Sequence, residues 1–315
     1  MLAYFFRRIL LLLPILFVII ILTFIIIHIT PGDPAAIIAG PGANQKQVDA
    51  IRKQMGLDLP LLQQFFMYFK KVIRGDLGRS FIRETPVLDE LIAAFKNTSY
   101  LVIIAFIWSV TIAIPLGIYA AIYQNSFYDR LCTTLAIMGI SAPSFLIGLV
   151  LIWLFGFKLN WLPISGVGHP LLSLNGFKYA ILPAITLGGL NVASLTRITR
   201  STMLEVLRQD YIRTARAKGL TERKVIYKHA LKNASIPIVT IIGLQLAYML
   251  GGSIVIESIF NWPGMGRLTY IAIITRDFPL IQGFMIFIAT VFVLINLFID
   301  LIYAWLDPHV RYENN

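Results

Sequence analysis

Long apolar runs, each near the roughly 20 residues that a helix needs to cross a bilayer, set the terms for this chain. Ile9 to Ile29 is almost purely apolar. Further runs follow at Thr98–Tyr123, Leu131–Phe157, Tyr179–Ser194, Ser235–Ile256 and Phe278–Leu306. Only 14% of the 315 residues are charged, against roughly 25% in soluble domains. The expected fold class is an all-α polytopic membrane protein with six transmembrane helices. Pro115, Gly117, Gly139, Pro143, Gly148, Pro183, Gly188 and Gly189 fall inside these runs. Membrane helices tolerate them because neighbouring helices satisfy the freed backbone groups, so they read first as packing or kink residues.

Charge sets the orientation. Arg7 and Arg8 precede the first run, which puts the N-terminus in the cytoplasm. The run is longer than a signal-peptide core, and Pro31-Gly32-Asp33-Pro34 follows it in place of a small-residue cleavage site. Residues 31–97 form a long extracytoplasmic insert with helical patterning at Val48–Met55 and Leu61–Ile73. Its nine Lys or Arg do not bar an outer location, because loops beyond about 60 residues largely escape the positive-inside rule. The expected organisation is an N-terminal transmembrane helix at 1–30, the insert at 31–97, a core at 98–306 and a cytoplasmic tail at 307–315.

A basic stretch between the fourth and fifth runs belongs on the cytoplasmic face. Arg197 to Lys232 holds ten Lys or Arg against Glu205, Asp210 and Glu222. Leu204, Leu207, Tyr211 and Ala215 recur at helical spacing; Gly219 breaks the run. Thr221 is a plausible N-cap, with Glu222 in the first turn where a carboxylate suits the dipole. Val225, Ile226 and Ala230 restart the apolar stripe. The pattern predicts a helix, a Gly-centred turn and a short helix.

Several chemistries are missing from the sequence. It has no G-x-x-x-x-G-K-[ST] to cradle nucleotide phosphates, no H-E-x-x-H and no nucleophile elbow. Cys132 is alone, so no internal disulfide forms. His28, His169, His229 and His309 fall on different elements. A net charge of +11 does not suggest nucleic-acid binding, because the charge sits in loops between apolar runs rather than on one face of a soluble fold. Asp300 is the deepest ionisable residue by sequence, with Glu257 and His28 near outer ends. Such residues are functional candidates by default, although an interfacial pairing role suits Asp300 better. A chain of this kind either conducts passively, acts as a secondary transporter or assembly protein, or draws energy from a partner.

The stretch from Asp210 to Pro237 resembles the EAA loop of permease subunits of ATP-binding-cassette importers, in the form found in the dipeptide, oligopeptide, glutathione and nickel family. Ala215 and Gly219 match the motif's alanine and glycine; Arg213 and Lys232 stand where the general motif has glutamate and proline, as is normal in this branch. The resemblance extends over nearly the whole chain, through Gly56-Leu57-Asp58, Gly75-Asp76-Leu77-Gly78, Asn261-Trp262-Pro263-Gly264-Met265-Gly266-Arg267 and Asp307-Pro308.

The resemblance implies a non-enzymatic subunit in a bacterial or archaeal cytoplasmic (inner) membrane. Its implied partners are a second homologous permease, two cytoplasmic ATP-binding subunits and an extracytoplasmic solute-binding protein. This chain would bind no cofactor; ATP and Mg would be used by the partner ATPases. Residues 201–233 would be a cytoplasmic coupling loop, with Asp210, Thr214, Ala215, Ala217, Gly219, Leu220, His229, Leu231 and Asn233 carrying the contact. Ser141, Asn191, Ser194, Gln245 and Asn296 are candidate polar residues of the pathway. Di- or oligopeptide or glutathione-like cargo is expected, with nickel or a metal chelate as the rival within the family.

Overall fold

In a computed structural model the chain is helical, and residues 2–29, 32–40 and 42–306 are described. In chain order the helices are α1 (Leu2–Ile29), α2 (Pro34–Ala39), α3 (Gln45–Met55), α4 (Leu61–Ile73), α5 (Val87–Ile122), α6 (Phe127–Ser141) and α7 (Ser144–Leu151). They continue with α8 (Leu174–Leu207), α9 (Asp210–Ala217), α10 (Glu222–Lys224), α11 (Leu231–Ile259), α12 (Met265–Thr275) and α13 (Phe278–Leu306). Two π-helical turns, Ile152–Lys158 and Val225–Ala230, lie between α7 and α8 and between α10 and α11. The expected tail, with Asp307-Pro308 and His309, lies outside the described residues, as do the side chains of Arg7, Arg8 and Asp300.

Among the described residues, four helical stretches are long and apolar enough to cross a membrane: Val87–Ile122, Leu174–Leu207, Glu222–Ile259 and Phe278–Ile299. A fifth is possible if the bent pair Phe127–Ser141 and Ser144–Lys158 counts as one span. That pair corrects the continuous third span expected at Leu131–Phe157, because the chain bends by 103° between its halves. Ala142 is extended, with φ −82° and ψ 130°, and Pro143 starts the second half. A residue before proline is pushed out of the helical region. Pro115, Pro183 and Pro237 sit inside unbroken helices.

The other boundaries move outward from the apolar cores. α8 starts at Leu174, where Ser173 caps it by accepting the Gly176 N–H, and runs on to Leu207 rather than stopping near Ser194. α5 starts at Val87, with Asp89 and Glu90 in its first turn, rather than at Thr98. Both extensions follow from helix energetics: a backbone helix ends at a cap or a breaker, not where apolar side chains give way to polar ones.

The chain divides into two compact units. The first comprises Met1–Asn97 and Pro263–Leu294. In it, Asn44 and Gln47 form a reciprocal capping box at α3, and Ser80 Oγ and the Phe81 N–H donate to the buried Asp277 carboxylate. The second comprises Thr98–Trp262 and Ile295–Asn315. Within it α5 comes close against α8. A Cβ on Gly117 would stand 2.5 Å from Thr199 Cβ and 2.8 Å from the Thr196 carbonyl oxygen, so only glycine permits this approach. Trp108 Nε1 donates to the Ala184 carbonyl at 2.8 Å along the same contact. Glu257, near the end of α11, is fully buried and accepts from Thr98 Oγ1 at 2.7 Å.

Candidate functional site

The site is the basic stretch that joins α8 to α11 within the second unit. α8 stops at Leu207, and Gln209 turns extended at φ −71°, ψ 149°. α9 then begins with Asp210 in its first turn, where its charge faces the positive end of the helix dipole. On α9, Ile212 and Ala215 are buried while Tyr211, Arg213, Thr214, Arg216 and Ala217 are exposed. That three-residue spacing places the two apolar side chains on one face of the helix.

Gly219 reverses the chain at φ +75°, and a Cβ there would meet nothing within 4 Å. The requirement for glycine is therefore backbone conformation, not space. The turn is closed by the Gly219 N–H to Arg216 carbonyl bond at 2.9 Å and the Leu220 N–H to Ala215 carbonyl bond at 3.4 Å. Across it, Arg216 Nε and Nη2 donate to Glu222 Oε1 and Oε2 at 2.8 and 3.2 Å. Thr221 occupies the N-cap position, but its hydroxyl makes no cap bond, contrary to expectation. Glu222 instead serves the turn through Arg216.

After Gly219 there is no separate short helix. α10, the π-turn and α11 run on as one helical stretch, Glu222–Ile259. Residues in π geometry are rare and recur at functional sites. Here Val225, Ile226 and Ala230 of the π-turn are buried, while Tyr227 and Lys228 are exposed. These residues join Ile212, Ala215, Met203, Leu195, Ala113, Ile118 and Ala121 in one apolar cluster, with Leu204, Leu220 and Leu231 at its edge. Asn233 Nδ2 adds a polar tie, donating to Tyr211 Oη at 2.9 Å and to the His229 carbonyl at 3.1 Å.

One side of the segment is thus fixed to α5 and α8, and the other carries exposed Arg213, Arg216, Lys218, Arg223, Lys224, Lys228 and Lys232. Of the residues singled out by sequence, Asp210, Thr214, Ala217, Gly219 and Asn233 are on the exposed side. Leu220, His229 and Leu231 are half-buried. Ala215 faces the chain's own core, so its small size serves the seating of α9. Thr214 Oγ1 returns to the Asp210 carbonyl at 3.1 Å.

Sequence reasoning missed Asp129. It is buried at the start of α6, where Arg200 of α8 grips its carboxylate with Nε and Nη2, the latter at 2.7 Å. The Asn125 N–H adds a bond at 2.8 Å. A lone acid beside an apolar run was the only local signal, and its partner is 71 residues away. The candidate pathway residues spread over four helices. Ser141 is exposed at the end of α6, while Asn191 and Ser194 on α8, Gln245 on α11 and Asn296 on α13 are half-buried.

Comparison with known proteins identifies the class. Residues 113–312 match the family described as binding-protein-dependent transport system inner membrane component, and residues 1–105 match the N-terminal family of such membrane components. The chain is 44% identical over 313 residues to the glutathione transport system permease protein GsiC of Escherichia coli (strain K12), covering 99% of this chain and 100% of that protein. It is 43% identical, with the same coverage, to GsiC of Shigella boydii serotype 4 (strain Sb227). In fold it is similar to a chain of the MetNI methionine ABC transporter in an inward-facing conformation, with a TM-score of 0.58 and 16% identity over 69% of this chain and 96% of that one. This chain belongs to the binding-protein-dependent transport system inner membrane component family: it is an ABC-transporter permease subunit, a component of solute import and not an enzyme.

Proposed function

We propose that this chain forms half of the translocation pathway for glutathione or small peptides, with six spans and both termini in the cytoplasm. α1 is the first span, and the bent pair α6–α7 with its π-turn is the third. A second homologous permease supplies the other half. Two cytoplasmic ATPases bind and hydrolyse ATP with Mg, and an extracytoplasmic solute-binding protein delivers the cargo. Ser141, Asn191, Ser194, Gln245 and Asn296 offer polar groups to the passing solute. Glutathione heads the substrate class because the relatives at 43–44% identity are glutathione permeases.

The observation that carries this reading is the two-sided segment 210–233. Its apolar side is anchored on α5 and α8, and its exposed side carries seven basic residues around the Gly219 turn. A partner that pushes on the exposed side moves the anchored helices with it. The test is Gly219→Val in the assembled transporter. Valine at positive φ costs about 1–2 kcal/mol, too little to prevent insertion but enough to misdirect a docking surface. Membrane abundance should stay near wild type, while glutathione uptake and binding-protein-stimulated ATP hydrolysis fall about tenfold or more. Normal uptake would remove this segment from coupling. The ligand retained by the co-purified binding protein tests the cargo: a nickel chelate there would replace the substrate class.

A further inference from the structure

α4 is apolar on two adjacent sides. One side meets α1: Phe65 and Phe69 pack edge-on against Phe17 at centroid distances of 6.4 and 5.6 Å, and Tyr68 Oη lies 3.1 Å from Thr23 Oγ1. The next side holds Leu62, Phe66 and Ile73, which are 73%, 64% and 66% exposed. At 100° per residue these three fall within an arc of about 40°. The third side carries Gln63, Lys70 and Arg74, again in one stripe and all exposed. No residue of α4 is buried.

An apolar helix of 10–14 residues is a core helix, a re-entrant element or an interfacial one; α4 has 13. Its exposure excludes the first. The apolar side lies between the α1-facing side and the basic side, which are opposite one another, and exposed Lys71 points away from it; this arrangement suits a helix lying in the plane of a membrane surface beside a span. We infer that α4 is a lipid-interface helix: Leu62, Phe66 and Ile73 enter the acyl region, and Lys70 and Arg74 bind the phosphates of anionic lipids. The inference rests on α1 being a membrane span. It places this part of the insert in the bilayer rather than in the aqueous space.

The test uses the full chain in its assembled transporter, reconstituted in phosphatidylcholine vesicles with phosphatidylglycerol, in a Cys132→Ser background. Phe66→Cys and Ile73→Cys carry an environment-sensitive fluorophore, and Asp76→Cys is the aqueous control. A lipid nitroxide near the headgroups should quench both α4 sites about threefold more than the control. Omitting phosphatidylglycerol should weaken that quenching about twofold, but not in Lys70→Gln/Arg74→Gln. Quenching equal to the control at both sites overturns the inference. So does quenching that appears only when partner subunits are removed, since a protein then covers the face. Labelling of Asn44→Cys in intact cells reads topology separately. If it labels only after permeabilisation, the six-span orientation falls while α4 keeps its lipid, in the opposite leaflet.

Discussion

α4 and α9 are both short helices with an apolar flank, and they use it in opposite ways. α9 buries Ile212 and Ala215 at 0% and 7% exposure and turns charge outward. α4 buries nothing and leaves Leu62 and Phe66 open. A flank already satisfied by its own chain leaves polar surface for an aqueous partner, whereas an unsatisfied flank requires an apolar medium. The exposed surface of each helix therefore reports its neighbour, and sequence periodicity alone does not.

The most damaging way to probe the contrast is to charge the buried flank. Ala215→Glu puts a carboxylate into the cluster of Met203, Ile212 and Val225, and an unpaired buried charge costs several kcal/mol. That should detach α9 locally without expelling the spans. Trypsin added to inverted vesicles should cut around Arg213, Arg216 and Lys218 about tenfold faster than in wild type. Thr214→Glu, one residue away but exposed, should leave the rate unchanged. Equal sensitivity of the two variants would erase the distinction between flanks.

A smaller effect is expected from the pair beneath this region. Asp129→Asn leaves Arg200, whose side chain is 25% exposed, without its bidentate partner. Removing one member of a buried pair costs about 3–5 kcal/mol, less here because Arg200 reaches solvent, so about 2 kcal/mol is expected. The purified permease should melt about 4–8 °C lower. Arg200→Lys should recover only part of this, because an ammonium cannot form the bidentate contact. No change in melting would mean that α6 and α8 are held by packing alone.

How far these features were legible follows from what encodes them. The apolar runs behind the long helices and the Gly219 turn were readable because each is local: an apolar run reports a long apolar helix, and a glycine between two helical patterns reports positive φ. The break at Ala142–Pro143 was not, because Pro115, Pro183 and Pro237 sit in equally apolar runs and do not break them. The continuity of Glu222–Ile259 is not legible because charge runs to Lys232, while the backbone hydrogen bonds continue through the π-turn. The Asp129–Arg200 pair joins distant parts of the chain and leaves no periodic trace. The two flanks of α4 and α9 could be drawn from the sequence, but not which of them was buried.

The smallest effect belongs to the Arg216–Glu222 pair that spans the Gly219 turn. Its members are 44% and 60% exposed, and exposed pairs contribute roughly 0–1 kcal/mol. Glycine already sets the turn, so the pair only narrows it. Glu222→Gln should shift the affinity of the permease for its ATPases by less than about threefold at 0.15 M salt, and by less still at 0.5 M, where screening removes most of the pair's attraction. The comparison with α4 makes the result informative. On α4, losing basic charge should matter only when anionic lipid is present. On the α9 turn, lipid composition should have no effect and added salt should. A loss of tenfold or more in Glu222→Gln would place this carboxylate in the docking contact itself. A dependence on phosphatidylglycerol would mean that the basic side of this segment also faces lipid, and the distinction between the two helices would then be one of degree.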